Sequence, residues 1–153
     1  MMSAAPAHLF IDLVAEFAVA SVMVVLCVAI HGFGLFSLSR WMRSEASVER
    51  LRQIDPLSPR GALFTLGIVV AITILHGVEI WLFAFTYMAV GAIGGLEEAL
   101  YFSTISYSTV GYSDIHVAPD WRLLGAFESI LGVILLGWST AFFLRTLSRI
   151  DPH

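Results

Sequence analysis

Three stretches of this chain are long, apolar and nearly free of charge, and no other feature restricts its fold as much. Between Glu16 and Arg40 the only interruptions are His31 and the thiol of Cys27. From Gly61 to Val78 only His76 breaks the run, and from Ile80 to Leu96 no acidic, basic or histidine residue occurs. From Leu123 to Leu144 the only charge is Glu128. A hydrocarbon core about 30 Å thick is crossed by about 20 apolar residues in a helix. Inside it every backbone N–H and C=O must find a partner within the protein, which a helix provides. The sequence therefore predicts three transmembrane helices over 9–38, 61–92 and 121–147. The second run exceeds what a bilayer needs, so that helix tilts or projects beyond the membrane. With 58% hydrophobic and 13% charged residues, the composition excludes an ordinary soluble domain.

Charge location says more than the net charge of −4. All eight basic residues are arginine. Arg40, Arg43, Arg50, Arg52 and Arg60 gather after the first run, and Arg145 and Arg149 follow the last. The first 39 residues and the 91–120 connection contain none. By the positive-inside rule the 40–60 segment and the C-terminus are expected in the cytoplasm, with the N-terminus and the 93–120 loop external. Three spans satisfy that parity. The chain thus divides into an N-terminal transmembrane helix, 1–39, a cytoplasmic linker, 40–60, a unit over 61–147 and a short cytoplasmic tail, 148–153. Within the linker, Trp41, Val48, Leu51 and Ile54 recur near helical spacing between arginines, which suits an amphipathic interfacial helix or a solvated one. The N-terminus has no basic region before its apolar stretch, so no signal peptide is expected. Cys27 stands alone and reads as a small apolar residue. Membrane lipids are the expected surroundings, and no nucleic-acid partner is expected.

The connection between the second and third runs is the irregular part. Gly91, Gly94 and Gly95 end the second run, Glu97 and Glu98 follow, and 97–108 reads as a short helix. Acidic residues in its first turn suit the positive end of a helix dipole. At 1.5 Å per residue it is about 18 Å long, too short to cross. Such a helix must re-enter the membrane and return as an extended loop, which has to line a cavity surrounded by protein or water. One chain offers too little protein for this, so an oligomer is expected.

Residues 109–114 read Thr-Val-Gly-Tyr-Ser-Asp. Turning successive carbonyls of an extended strand to one side requires alternating signs of φ, which Gly111 allows at little cost. A ring of such carbonyls replaces the hydration shell of a cation without trapping it as a full charge would. Thr109-Val110-Gly111-Tyr112, preceded by an aromatic-rich helix and followed by Asp114, resembles the signature of potassium channels. The resemblance covers about 61–147: outer helix, pore helix 97–108, filter 109–114 and inner helix 121–147 of the bacterial two-helix channels. The first span lies outside it. The resemblance implies an all-α membrane protein with three transmembrane helices, a re-entrant pore helix and an extended selectivity-filter loop. It implies potassium sites on the carbonyls of Thr109, Val110, Gly111 and Tyr112, with Ser113 at the outer end and the Thr109 hydroxyl at the inner end. Asp114 would sit behind the filter, supported by the Tyr101 hydroxyl. One strand per chain implies a homotetramer bearing potassium as permeant ion, with no cofactor and no covalent chemistry.

This chain departs from the family pattern at two positions. Ser113 replaces the usual glycine, and a non-glycine residue at positive φ costs about 1–2 kcal/mol. That brings a less selective cation channel into consideration. Ile105 stands where some relatives place a glutamate that pairs with the aspartate. Gly132 and Gly137 interrupt the last helix, either as a gating hinge or for close packing. Glu79 and Glu128 are intramembrane carboxylates, expected to bond to pore-loop donors or Arg122, or to sense pH. His76 and Glu79 lie one turn apart and with His31 would form an unfamiliar ligand spacing. A membrane redox or metal-binding subunit using His31, His76 and His116 is the reading from another class. No span carries an arginine ladder, so charged-helix voltage sensing is not expected.

Overall fold

A computed structural model describes residues 6–43, 58–111 and 117–150. The described secondary structure is helical throughout: α1 (Pro6–Met42), α2 (Pro59–Ala89), α3 (Leu96–Tyr107), a 3₁₀ turn (Pro119–Trp121) and α4 (Arg122–Ile150). Three of these are long and apolar enough to cross a membrane, over Phe10–Met42, Pro59–Ala89 and Pro119–Ser148. The protein is an all-α membrane protein. The interfacial helix expected over 41–54 lies mostly outside the described residues.

Local chemistry sets the boundaries. α2 opens on Pro59, whose missing N–H suits a first helical position, and the Ser58 hydroxyl accepts the Gly61 N–H at 3.2 Å as an N-cap. α2 stops at Ala89, three residues before the expected 92. Gly91 adopts φ +72, the Ala92 N–H bonds back to the Tyr87 carbonyl at 2.8 Å, and the Gly91 N–H to that of Met88 at 3.1 Å. This is the Schellman closure, which a glycine in left-handed conformation permits. α3 begins one residue earlier than expected and carries Glu97 and Glu98 in its first turn.

The chain folds as two compact units, one formed by Met1–Val28 with Glu79–Ile134 and the other by Ala29–Val78 with Leu135–His153. In the first, α1 contributes Glu16, Ala20, Met23 and Cys27, buried at spacings of three and four. Phe83, Ala84 and Tyr87 of α2, Ala99, Phe102 and Ile105 of α3, and Leu124 and Leu131 of α4 complete this core. Tyr87 meets Phe102 edge-on at 5.2 Å, as Phe17 meets Phe127, the ring arrangement favoured by the aromatic quadrupole. In the second unit, Leu35, Ile68 and Leu135 are buried. Gly34 lets α1 lie against Leu75, since a Cβ there would come within 2.8 Å of that side chain. Outward positions are apolar too: Phe33 is 72% and Leu63 70% exposed. Water would penalise such a surface, and lipid tails do not.

α3 ends directly against α4. A Cβ on Gly132 would lie 2.1 Å from the Tyr107 carbonyl oxygen, whereas one on Gly137 would meet nothing within 4 Å. Gly132 is therefore a packing glycine, and its neighbour here is backbone that cannot swing aside. We predict opposite outcomes for the two alanine variants in thermal unfolding of the detergent-solubilised protein. Gly132→Ala lowers the midpoint. Gly137→Ala leaves it unchanged or raises it, because alanine is better than glycine in a helix interior by up to about 1 kcal/mol.

Candidate functional site

The site is the stretch where α3 ends and the chain turns at Thr109 and Gly111. The Ser108 N–H bonds to the Thr104 carbonyl at 3.1 Å, and the Thr109 N–H to the Ser106 carbonyl at 2.9 Å. Thr109 then turns the chain with φ +63 and Gly111 turns it again with φ +54. Thr109 is the sole described non-glycine residue at positive φ, so Val110 between them is not in that region. The Gly111 N–H bonds to the Ile105 carbonyl at 3.0 Å, folding the chain back over the end of α3. A β-branched residue in left-handed conformation is strained by about 1–3 kcal/mol and persists only where its surroundings enforce it. Positive φ was expected at Gly111 but not at Thr109, since a threonine gives no sign of it. Thr109, Val110 and Gly111 are all exposed in the single chain. Tyr112, Ser113, Asp114 and His116 lie outside the described residues. So does the expected support of Asp114 by Tyr101, whose ring is exposed on α3.

Three helices bring buried hydroxyls and carboxyls together around α3. Glu128 of α4 is fully buried. The Tyr87 hydroxyl of α2 donates to its Oε2 at 2.6 Å, and the Ser103 hydroxyl of α3 to its Oε1 at 2.5 Å. Ser103 Oγ also lies 2.9 Å from the Ile80 carbonyl, so its one proton has two acceptors. Glu79 of α2 is likewise fully buried, and the Tyr107 hydroxyl at the last residue of α3 donates to its Oε2. The two carboxyls thus hold α3 at its middle and at the end from which the strand departs. Ile105 is buried as an apolar residue. On the far side of the loop Val117 is buried, and the Ala118 N–H bonds to the Ala92 carbonyl at 3.0 Å.

His31 and His76 belong to the second unit. In the second unit the His31 and His76 rings lie 5.1 Å apart, His31 Nε2 is 3.1 Å from the Ser139 hydroxyl, and the Trp138 ring is 5.5 Å from His31. Glu79 belongs to the first unit, where it meets Tyr107.

A helix too short to cross thus stands in the chain between two membrane-length helices and ends in a glycine-bearing turn. The profile of the family described as "Ion channel" matches residues 62–149, more than half of the chain. The chain belongs to the ion channel family and is an integral membrane protein. No curated protein and no solved structure matches it closely enough to extend that assignment. α1 lies before the matched region.

The Glu128 cluster predicts a graded series. Glu128→Leu strands the Tyr87 hydroxyl in an apolar core and costs about 1–3 kcal/mol. Glu128→Gln keeps most of the stability: its carbonyl accepts from Tyr87 and its NH₂ donates to Ser103, which turns its own proton to Ile80. Thermal unfolding midpoints in the order wild type, Gln, Leu are expected. Equal midpoints for Gln and Leu would contradict the assignment.

Proposed function

We propose that this chain is the subunit of a potassium-selective channel, assembled as a homotetramer about a central pore lined by the backbone carbonyls of Thr109, Val110, Gly111 and Tyr112. The observation that carries this reading is the run of φ signs at 109–111, positive at Thr109 and Gly111 with Val110 between. Such alternation turns neighbouring carbonyls toward one side, where they can replace the water of a cation. The strand leaves from the C-terminal end of α3, whose dipole places partial negative charge beside it and favours a cation. Its exposure in one chain fits a strand completed by three copies around an axis. Potassium is the permeant ion, moving passively, with the N-terminus and filter outside and the C-terminus in the cytoplasm. The membrane is proposed to be a bacterial inner membrane.

Ser113 favours a second reading on one point. A serine where the family places glycine alters the outermost site, and a weakly selective pore passing sodium beside potassium would follow.

Purified protein in liposomes should carry a potassium flux that barium blocks. Gly111→Ala places a side chain at φ +54, at a cost of about 1–2 kcal/mol per subunit, and should abolish that flux while the protein still assembles. Unchanged flux through Gly111→Ala would refute the filter assignment.

A further inference from the structure

The first helix lies outside the matched channel region, yet it supplies a polar group to the inner helix. Glu16 is 5% exposed on α1. Its Oε1 accepts the N–H groups of Leu123 at 2.6 Å and Leu124 at 3.1 Å. These are the second and third residues of α4, the N–H groups that an N-cap side chain ordinarily satisfies. The residue just before α4 is Trp121, which carries no acceptor oxygen. A glutamate from another helix therefore does what the local sequence cannot. In an apolar surround those N–H groups would otherwise be left bare, and a carboxylate there also opposes the positive end of the α4 dipole. Two further contacts hold α1: the Phe17–Phe127 ring pair with α4 at 5.2 Å, and the Thr86 hydroxyl of α2 3.2 Å from Met23 Sδ.

The placement along the chain gives this cap a consequence. The loop that begins at Thr109 is tied on its entry side by Tyr107 to Glu79. On its exit side the first tie among the described residues is the Ala118 N–H to the Ala92 carbonyl, and a further one is Glu16 to the start of α4. We infer that the first helix is a second exit-side anchor of the filter loop, after the Ala118–Ala92 tie, with Glu16 as a positioning residue for ion conduction. The inference rests on the channel reading above for its functional half. Its structural half, the cap itself, stands on the contacts alone.

The test compares Glu16→Ala, Glu16→Gln and Asp12→Ala in the full chain. Asp12 is an exposed acid one turn earlier on the same helix. Two readouts are taken: barium-sensitive potassium flux in liposomes and hydrogen exchange at the Leu123 and Leu124 amides. In Glu16→Ala those amides should exchange faster by about tenfold, as expected for one lost hydrogen bond. Flux should fall while the assembled protein remains intact. Glu16→Gln should restore both, because its amide oxygen accepts the same two N–H groups. Asp12→Ala should change neither, which separates positioning from a simple loss of external negative charge. Faster exchange with unaltered flux would overturn the positioning role. Unaltered exchange would overturn the cap, as would unprotected Leu123 and Leu124 amides in the wild type, a result that needs no variant to fold. If the wild type carries no flux but its amides are protected through Glu16, the channel reading fails and the positioning role falls with it, while the cap stands.

Discussion

A carboxyl group inside an apolar bundle must be met by donors, and Glu128 is met by two. Through the Tyr87 and Ser103 hydroxyls it joins α4 to α2 and α3. Hydrophobic contact offers no preference for one helix neighbour over a lipid tail, so polar pairs and close backbone packing select the arrangement. Gly132 adds the second device, letting the end of α3 rest on α4 backbone to backbone. Tyr107, one residue of α3, takes part in both: its carbonyl meets Gly132 and its hydroxyl meets Glu79. The strand that follows departs from a fixed point.

That fixed point explains how a strained residue is tolerated. Thr109 is turned into left-handed conformation within two residues of Tyr107, and its N–H is held by the Ser106 carbonyl. Strain of this kind collects at functional sites when the surrounding structure over-determines the backbone. Here the over-determination comes from buried oxygens on helices α2 and α4, with α1 capping the start of α4 on the far side of the loop.

Much of the architecture was legible because hydrocarbon imposes a length. Three runs of low charge became three helices, and Glu97-Glu98 marked the start of the short one to within a residue. Boundaries set by backbone chemistry were less visible: Gly91 closes α2 before its apolar run ends. The carboxyl partners were legible only as a class. Glu79 and Glu128 stood out as charges in apolar runs, but which hydroxyl each would meet depends on how helices rotate against one another. Glu16 was missed as a cap because it sits near a helix end, where an acid can equally face the interface. Its place in register with Ala20, Met23 and Cys27 was the available signal. Thr109 had no signal, since threonine is a poor choice for positive φ and only the surrounding bonds impose it.

The carbonyls of residues 109–112 are proposed to replace the water of a potassium ion and to do so less well for sodium. The reversal potential under bi-ionic conditions, potassium on one side and sodium on the other, measures that discrimination directly. A selective filter predicts a reversal potential displaced by more than 60 mV toward the potassium equilibrium value, corresponding to a permeability ratio above about tenfold at 59 mV per decade for one charge. Reversal near zero would contradict it and identify a pore in which Ser113 has cost the strand its preference.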